Sequence, residues 1–260
     1  MRKAHSIDRR ALLTGAGALG AATLLTGCDA LTQSPGARRI LGSAETVNRA
    51  FQRGIAPGAL AAEFAERDLS PAFRANGSTN PDSADYQALV KDRFQNWRLR
   101  VSGLVDQPAN FSLADLRGLP ARTQITRHDC VEGWSCIGKW QGARLGTLLE
   151  KVGLRPSARY LVFRCADEMP SEGLAPPEPY YESIDLGDAF HAQTILAYEM
   201  NGRELPVAHG APLRLRVERQ LGYKHAKYVM AIEAVDSLDD IGGGHGSYWA
   251  DHGYAWYAGI

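Results

Sequence analysis

Arg127-His128-Asp129-Cys130-Val131-Glu132-Gly133-Trp134-Ser135 sets one cysteine among charged and aromatic residues. Thr123, Ile125 and Arg127 precede it with the alternation of a half-buried strand, and Gly133, Gly138 and Gly142 follow it with loop chemistry. A thiolate held at the end of a strand is a soft donor that a metal can reach from one side, so Cys130 reads as a metal ligand. The competing reading is an inert buried cysteine that packs as a small hydrophobe.

Strands and short helices alternate irregularly around this segment. Trp97, Leu99 and Val101 alternate with Arg98, Arg100 and Ser102, and Leu213, Leu215 and Val217 with Arg214, Arg216 and Glu218; both runs predict half-buried strands. Ser112 followed by Asp115 reads as a capped helix start, and Leu145, Leu148, Leu149 and Val152 recur at helical spacing before Gly153. The chain is of the α+β class, its core beginning near Phe73. A Gly-rich dinucleotide fingerprint after a strand is missing, which argues against a nicotinamide cofactor. The 260 residues suffice for one sizeable core, and their formal charge is zero. Neither a Lys/Arg run, as nucleic-acid binding would need, nor an internal repeat is present.

The first residues read as an address. Arg9-Arg10 precedes a mildly apolar, Gly-containing run from Ala11 to Gly27, which resembles a twin-arginine export signal and is too weak for a permanent span. Leu25-Thr26-Gly27-Cys28 resembles a bacterial lipobox, with Cys28 the lipidated residue that anchors the protein on the periplasmic side of a membrane. The expected division is a signal peptide over 1–27, a tether and wrapping segment over 28–70 and the functional domain over 71–260, with a short helix from Glu45 to Gln52 behind Ser43 as N-cap. With Cys28 set aside, Cys130, Cys136 and Cys165 remain, an odd number for an oxidising compartment. A metal-bound Cys130 accounts for the leftover thiol and allows, without requiring, a Cys136 to Cys165 disulfide.

Cys130-Val131-Glu132-Gly133-Trp134-Ser135 followed by Lys139-Trp140-Gln141-Gly142 resembles the segment around the molybdenum-binding cysteine of the sulfite oxidase family. Further blocks agree in kind, order and spacing: Pro179-Tyr180-Tyr181-Glu182, Asn201-Gly202, His209-Gly210-Ala211-Pro212-Leu213-Arg214-Leu215 and Gly222-Tyr223-Lys224-His225-Ala226-Lys227. The resemblance runs from about Pro71 onward and is nearest to small bacterial enzymes without a haem domain, among them periplasmic methionine sulfoxide reductases. It implies the sulfite oxidase type of molybdopterin-binding fold with mixed β-sheets and short helices. It also implies a chain without the immunoglobulin-like dimerisation domain of larger relatives, and hence a monomer.

The resemblance further implies a molybdenum-molybdopterin cofactor (Moco), with Cys130 as the metal's thiolate ligand. Asn76, His209, Arg214, His225, Ala226 and Lys227 then fall where the family holds the pterin and its phosphate, a task suited to backbone amides, a bidentate Arg fork and a Lys point charge. His209 replaces an asparagine of the methionine sulfoxide reductase branch, and Cys165 a small hydroxyl residue that touches the cofactor. Arg74 corresponds to an arginine that meets anionic substrate in sulfite oxidases proper, with a structural ion pair as its rival role. Arg127 and Tyr181 are further pocket candidates, Arg127 being placed to pair with Asp129. His245 and His252, in a Gly- and aromatic-rich stretch, read as part of a packed tail before a second metal site.

The activity implied is oxygen-atom transfer, foremost reduction of an S-oxide such as methionine sulfoxide, with sulfite oxidation as the alternative. A lipid-anchored binding protein of the same fold, without redox turnover, is the rival from another class. No haem attachment motif occurs, so electrons are expected from a separate cytochrome or haem membrane protein.

Overall fold

The computed structural model describes residues 35–55, 58–170 and 176–260; the proposed signal, Cys28 and most of the tether lie outside them. By internal contacts the chain parts into two units, one ending at Asn48 and the other spanning Arg49–Ile260. Helix α1 covers Pro35–Ile55 and is therefore much longer than the expected Glu45–Gln52. Proline is tolerated in a first helical turn, and Ala, Arg and Leu are strong helix formers that carry the coil through Ser43. No helix among the described residues is long and apolar enough to cross a membrane.

The remaining elements run α2 (Ala84–Lys91), β1 (Leu99–Gly103), β2 (Ala109–Phe111), α3 (Leu113–Arg117), β3 (Ala121–Asp129), β4 (Ser135–Arg144), α4 (Leu145–Val152) and β5 (Tyr160–Met169). They continue with β6 (Glu178–Asp185), α5 (Leu186–Ala189), β7 (Ile195–Met200), β8 (Arg203–Glu204), β9 (Arg214–Arg216), β10 (Val229–Val235) and α6 (Tyr248–Asp251). Two sheets result. One has the order β2-β1-β10-β5-β6; the other runs β3-β4-β7-β8, with β9 also on β7. Among the described residues only β1 and β10 pair in parallel.

The main core lies between the sheets. Trp97, Leu99 and Val101 are buried as their alternation predicts, and α4 turns Leu145, Leu148, Leu149 and Val152 into the same cluster. Each such side chain contributes about 1.5–3 kcal/mol of transfer free energy. Ser112 and Asp115 form the expected capping box of α3, and Gly153, at φ +69°, ends α4.

Two strands depart from the expected pattern. In β3 the buried residues are Gln124, Thr126 and His128, not the opposite parity of Thr123, Ile125 and Arg127. In β9 and just beyond it, Arg214, Arg216 and Glu218 are as buried as Leu213, Leu215 and Val217. Both departures have one cause: the second sheet has a polar inner face. Arg214 and Arg216 lie over the Trp140 ring at 5.3 and 4.4 Å, while Leu215 faces the main core. Arg216 pairs with Glu218 at 2.5 Å, and Glu218 accepts a bond from Gln124 Nε2 at 2.8 Å, so these two buried charges are satisfied in a network.

The segment over residues 58–76 wraps this face. Glu63 bridges Thr126, Ser70 N–H donates to the Ile137 carbonyl at 3.1 Å, and Phe73 packs edge-on against Trp140.

Candidate active site

β3 and β4 are paired from Ala121↔Ala143 to Asp129↔Ser135, which leaves Cys130 at the start of the connecting loop. Cys130 N–H donates to the Trp134 carbonyl at 2.9 Å and its own carbonyl accepts from Gly133 N–H at 3.0 Å, a turn that needs Gly133 at φ +83°. The thiol opens into a cleft of about 140 Å³ lined by Asn76, Ser78, Glu132, Asp167, His225 and Lys227, with Tyr180, Tyr223, Trp249 and Tyr254 among its aromatic residues. Burial pushes the thiol above its usual range, opposed by the backbone amides of Glu132 and Val131. A metal replacing the proton relieves that cost, because the ligand form is the thiolate.

The polar end of the cleft holds buried groups with unspent hydrogen-bonding capacity. Arg214 is 1% exposed; one of its nitrogens donates to the His209 carbonyl at 3.1 Å, whereas Nε and Nη2 have no partner among the described residues. Burial and the neighbouring Arg216 pull its guanidinium down to about 9, so it remains a cation at neutral pH. Asn76 Oδ1, Asp167 Oδ1 and His209 Nδ1 are buried and unpartnered too.

Two imidazoles complete this set. His128 Nδ1 lies 3.0 Å from Arg216 Nη1, and since guanidinium only donates, Nδ1 accepts and Nε2 carries the proton. His225 Nε2 lies 3.0 Å from the Gln220 carbonyl, so there Nε2 carries the proton and Nδ1 keeps its lone pair. The outward nitrogens, His128 Nε2 as donor and His225 Nδ1 as acceptor, are both unpartnered, and the rings stand 5.1 Å apart. Burial, followed by nearby arginines, holds both well below the usual imidazole range and hence neutral.

Each unpaired buried polar atom costs about 1–3 kcal/mol. Their concentration around one cleft, with a net positive charge behind it, fits a polar heterocycle carrying a phosphate: donors and acceptors for the ring, a guanidinium fork for the anion. Lys227 has a narrower part. Its ammonium donates to the Asn76 carbonyl at 2.7 Å and to the Ser78 carbonyl, fastening the 76–78 segment to the cleft. Burial, then Arg214, lowers it to about 7.

The structure gathers Cys130, Asn76, His225 and Lys227 on the cleft itself. Arg214, His209 and Ala226 stand behind it, Ala226 through its carbonyl, which accepts from Leu215 N–H at 2.8 Å. Arg74 sits at the rim, over the Trp134 ring at 5.3 Å and 3.7 Å from Glu132, with most of its side chain in solvent. Arg127 is turned to Asp129 at 2.9 Å, as its spacing suggested, and does not line the cleft. Tyr181 is corrected: strand alternation sends Tyr180 to the cleft and Tyr181 to the Ile241 carbonyl and Asp251. Cys165 packs against the apolar clusters, and Cys130, Cys136 and Cys165 are all free thiols, so the optional disulfide is not formed. His245 pairs with Asp251 and His252 stacks on Tyr248 at 4.3 Å, within the tail.

The sequence reading passed over His128, Ser78 and Asp167. His128 adjoins the quoted cysteine motif, and its position in β3 was the available signal; Ser78 and Asp167 carried none.

The family model described as oxidoreductase molybdopterin binding domain matches residues 86–240. The YedZ1 protein of Azospira oryzae, described as a candidate protein-methionine-sulfoxide reductase subunit, is 36% identical over 96% of this chain and 87% of its own. The protein-methionine-sulfoxide reductase catalytic subunit MsrP of Ralstonia nicotianae is 33% identical over 89% of this chain and 70% of its own. Among solved structures, the sulfane dehydrogenase SoxCD from Paracoccus pantotrophus aligns with a TM-score of 0.47 and 24% identity, over 55% of this chain and 39% of that one.

Proposed function

Since this chain belongs to the oxidoreductase molybdopterin-binding family, of the sulfite oxidase type, we propose that it reduces the S-oxide of methionine residues, with Cys130 as the metal's thiolate ligand. It is a molybdopterin-dependent oxidoreductase. The observation that carries the placement of its chemistry is the Cys130 thiol opening into the same cleft as the unpartnered atoms of Asn76, Asp167 and His225. When bound, the cofactor supplies the exchange of one oxygen atom and two electrons.

The chain's own residues do the rest. Arg214 and the backbone beside Ala226 would hold the phosphate, Asn76, His128, His209 and His225 would orient the pterin, and Lys227, bonded to the Asn76 and Ser78 carbonyls, would keep the 76–78 segment against it. Reduction of an S-oxide takes two electrons and two protons and releases a thioether and water. Asp167, whose carboxyl burial pushes above its usual range and which accepts a bond from Ser78 at 2.9 Å, is the acidic group of the cleft that would pass protons to the departing oxygen. Arg74, the candidate for binding anionic sulfite, is engaged by Glu132 and Trp134, which favours the neutral S-oxide.

Electrons come from a separate haem-bearing partner, a reading supported by the word subunit in the relatives' names. Export by the twin-arginine route and lipid attachment at Cys28 would place the enzyme on the periplasmic side of a membrane.

The test is molybdenum and pterin content of protein made in a cofactor-competent host, with Cys130→Ser alongside. The wild type is expected to hold about one molybdenum per chain and to reduce peptidyl methionine S-oxide; Cys130→Ser is expected to lose at least about a thousandfold in turnover. A folded wild type without molybdenum would overturn the assignment.

A further inference from the structure

The wall of the cleft beside Cys130 is built partly from the last segment of the fold. Tyr223, Tyr254 and Trp249 form a continuous run of rings, with centroids 5.4 Å apart for Tyr223 and Tyr254 and 5.0 Å for Trp249 and Tyr254. All three line the cleft with Val131 and Met169. The run is fixed at both ends. Tyr223 OH donates to the Ala255 carbonyl at 2.7 Å, and Asp251 accepts from Tyr181 OH and, at 2.8 Å, from Gly243 N–H. Gly253, at φ +91°, turns the chain so that Tyr254 N–H meets the Trp249 carbonyl at 2.9 Å. Yet the surface is not covered: Tyr254 is 39% exposed and Val131 50%.

Tyr223 is buried, so the run grades from a packed ring near Cys130 to the exposed Tyr254, and aromatic faces that reach solvent beside a reactive centre serve recognition better than packing. The charged groups nearby narrow the ligand. Glu132 and Asp167 are carboxylates, and the Lys227 ammonium is occupied by backbone carbonyls.

We propose that Tyr223, Trp249 and Tyr254 form an aromatic subsite that seats the uncharged side chain of a methionine S-oxide, its methylene stem included, offered by a flexible protein segment, and so selects it over anionic and small substrates. The proposal rests on the S-oxide reading above and adds to it the residues that choose the substrate. The methyl and methylene groups of an S-oxide lie well against the negative faces of the rings, whereas an oxyanion is repelled by them.

The experiment compares the molybdenum-loaded full chain with Trp249→Ala, Trp249→Phe and Tyr254→Ala, on an unfolded peptide bearing methionine S-oxide, on dimethyl sulfoxide and on sulfite. Metal content per chain verifies that each variant is folded and loaded. For the alanine variants the ratio of kcat/KM for the peptide to that for dimethyl sulfoxide should fall roughly fivefold to tenfold, mainly through KM, the size expected for lost contacts between the rings and the methylene stem that dimethyl sulfoxide lacks. Trp249→Phe should recover most of it. An unchanged ratio in loaded alanine variants that still reduce both S-oxides overturns the subsite while leaving the S-oxide reading in place. A loaded wild type that oxidises sulfite and reduces neither S-oxide overturns that reading and the subsite with it.

Discussion

Lys227 shows how a single residue can be costly in one state and useful in another. Lys227 is only 7% exposed, and its ammonium feels both the Arg214 cation and the Asp167 carboxyl. In the cofactor-free protein its pKa falls to about 7 from 10.5, so the folded state binds its proton more weakly than the unfolded chain does. Between those two values the unfolded chain holds the proton and the folded one does not; stability therefore rises with pH across that window and is flat below it. Cofactor-free wild type should gain stability relative to Lys227→Met as pH goes from about 7 to 10, by at most on the order of 1.4 kcal/mol per pH unit, in paired thermal melts. Loading with the cofactor should flatten the difference, since the phosphate restores the proton's affinity. Arg214 belongs to the same logic, with two unpartnered donors that only an anion would satisfy.

Strand pairing around the polar face is equally demanding. At Gly142, where β4 slips by a residue against β7, an added Cβ would stand 2.2 Å from the Leu196 carbonyl oxygen and 2.6 Å from the Ala197 Cα. Backbone cannot yield there as a flexible side chain could. Gly142→Ala is expected to cost about 3 kcal/mol or more and to lower cofactor retention, read by chemical denaturation and metal content, because β7 carries β9 and hence Arg214. These elements also mark the limit of what sequence periodicity conveys. β1 and α4 were legible because their interior is apolar, and Cys130 because a motif surrounds it. β3 and β9 were placed as half-buried strands, but alternation alone did not tell that Gln124, Thr126 and His128 face inward in β3, and by periodicity alone the Arg214/Arg216 face would lie in water; only the resemblance brought Arg214 to the site. Periodicity assumes an oily interior, and here the interior is a charged network closed over by Phe73 and Trp140. Tyr180 and Tyr181 stood side by side in one motif, and only the strand's alternation told which met the cleft.

At the scale of the molecule, a fully buried ion pair links the site to the rest. Lys224, in the cofactor-facing 222–227 segment, donates to Glu182 on β6 and to the Ser183 carbonyl at 2.9 Å, and lies 5.0 Å from the centre of Trp256, whose Nε1 donates to Ser183 Oγ at 2.8 Å. Burial raises the Glu182 carboxyl, and Lys224 opposes that rise. Lys224→Met should cost about 3–5 kcal/mol by leaving Glu182 buried and alone, and Glu182→Leu in the same chain should restore much of it, measured as a double-mutant cycle. If the single variant proves neutral, the pair is not what joins the segment to β6. The parallel pairing of β10 with β1 has a kinetic consequence. Arg100 and Ala231 are neighbours across the sheet although 131 positions apart, and β10 also forms the bonds that complete β5. Until β10 arrives, β1 and β5 each present an open edge, and closing so long a loop is slow on the scale of helix formation. Because β10 begins directly after Lys227 and Tyr228, the step that closes those edges also assembles the cofactor cleft. Mass action then makes the cofactor a trap for the correctly closed chain, drawing folding forward at the moment when aggregation is the competing fate.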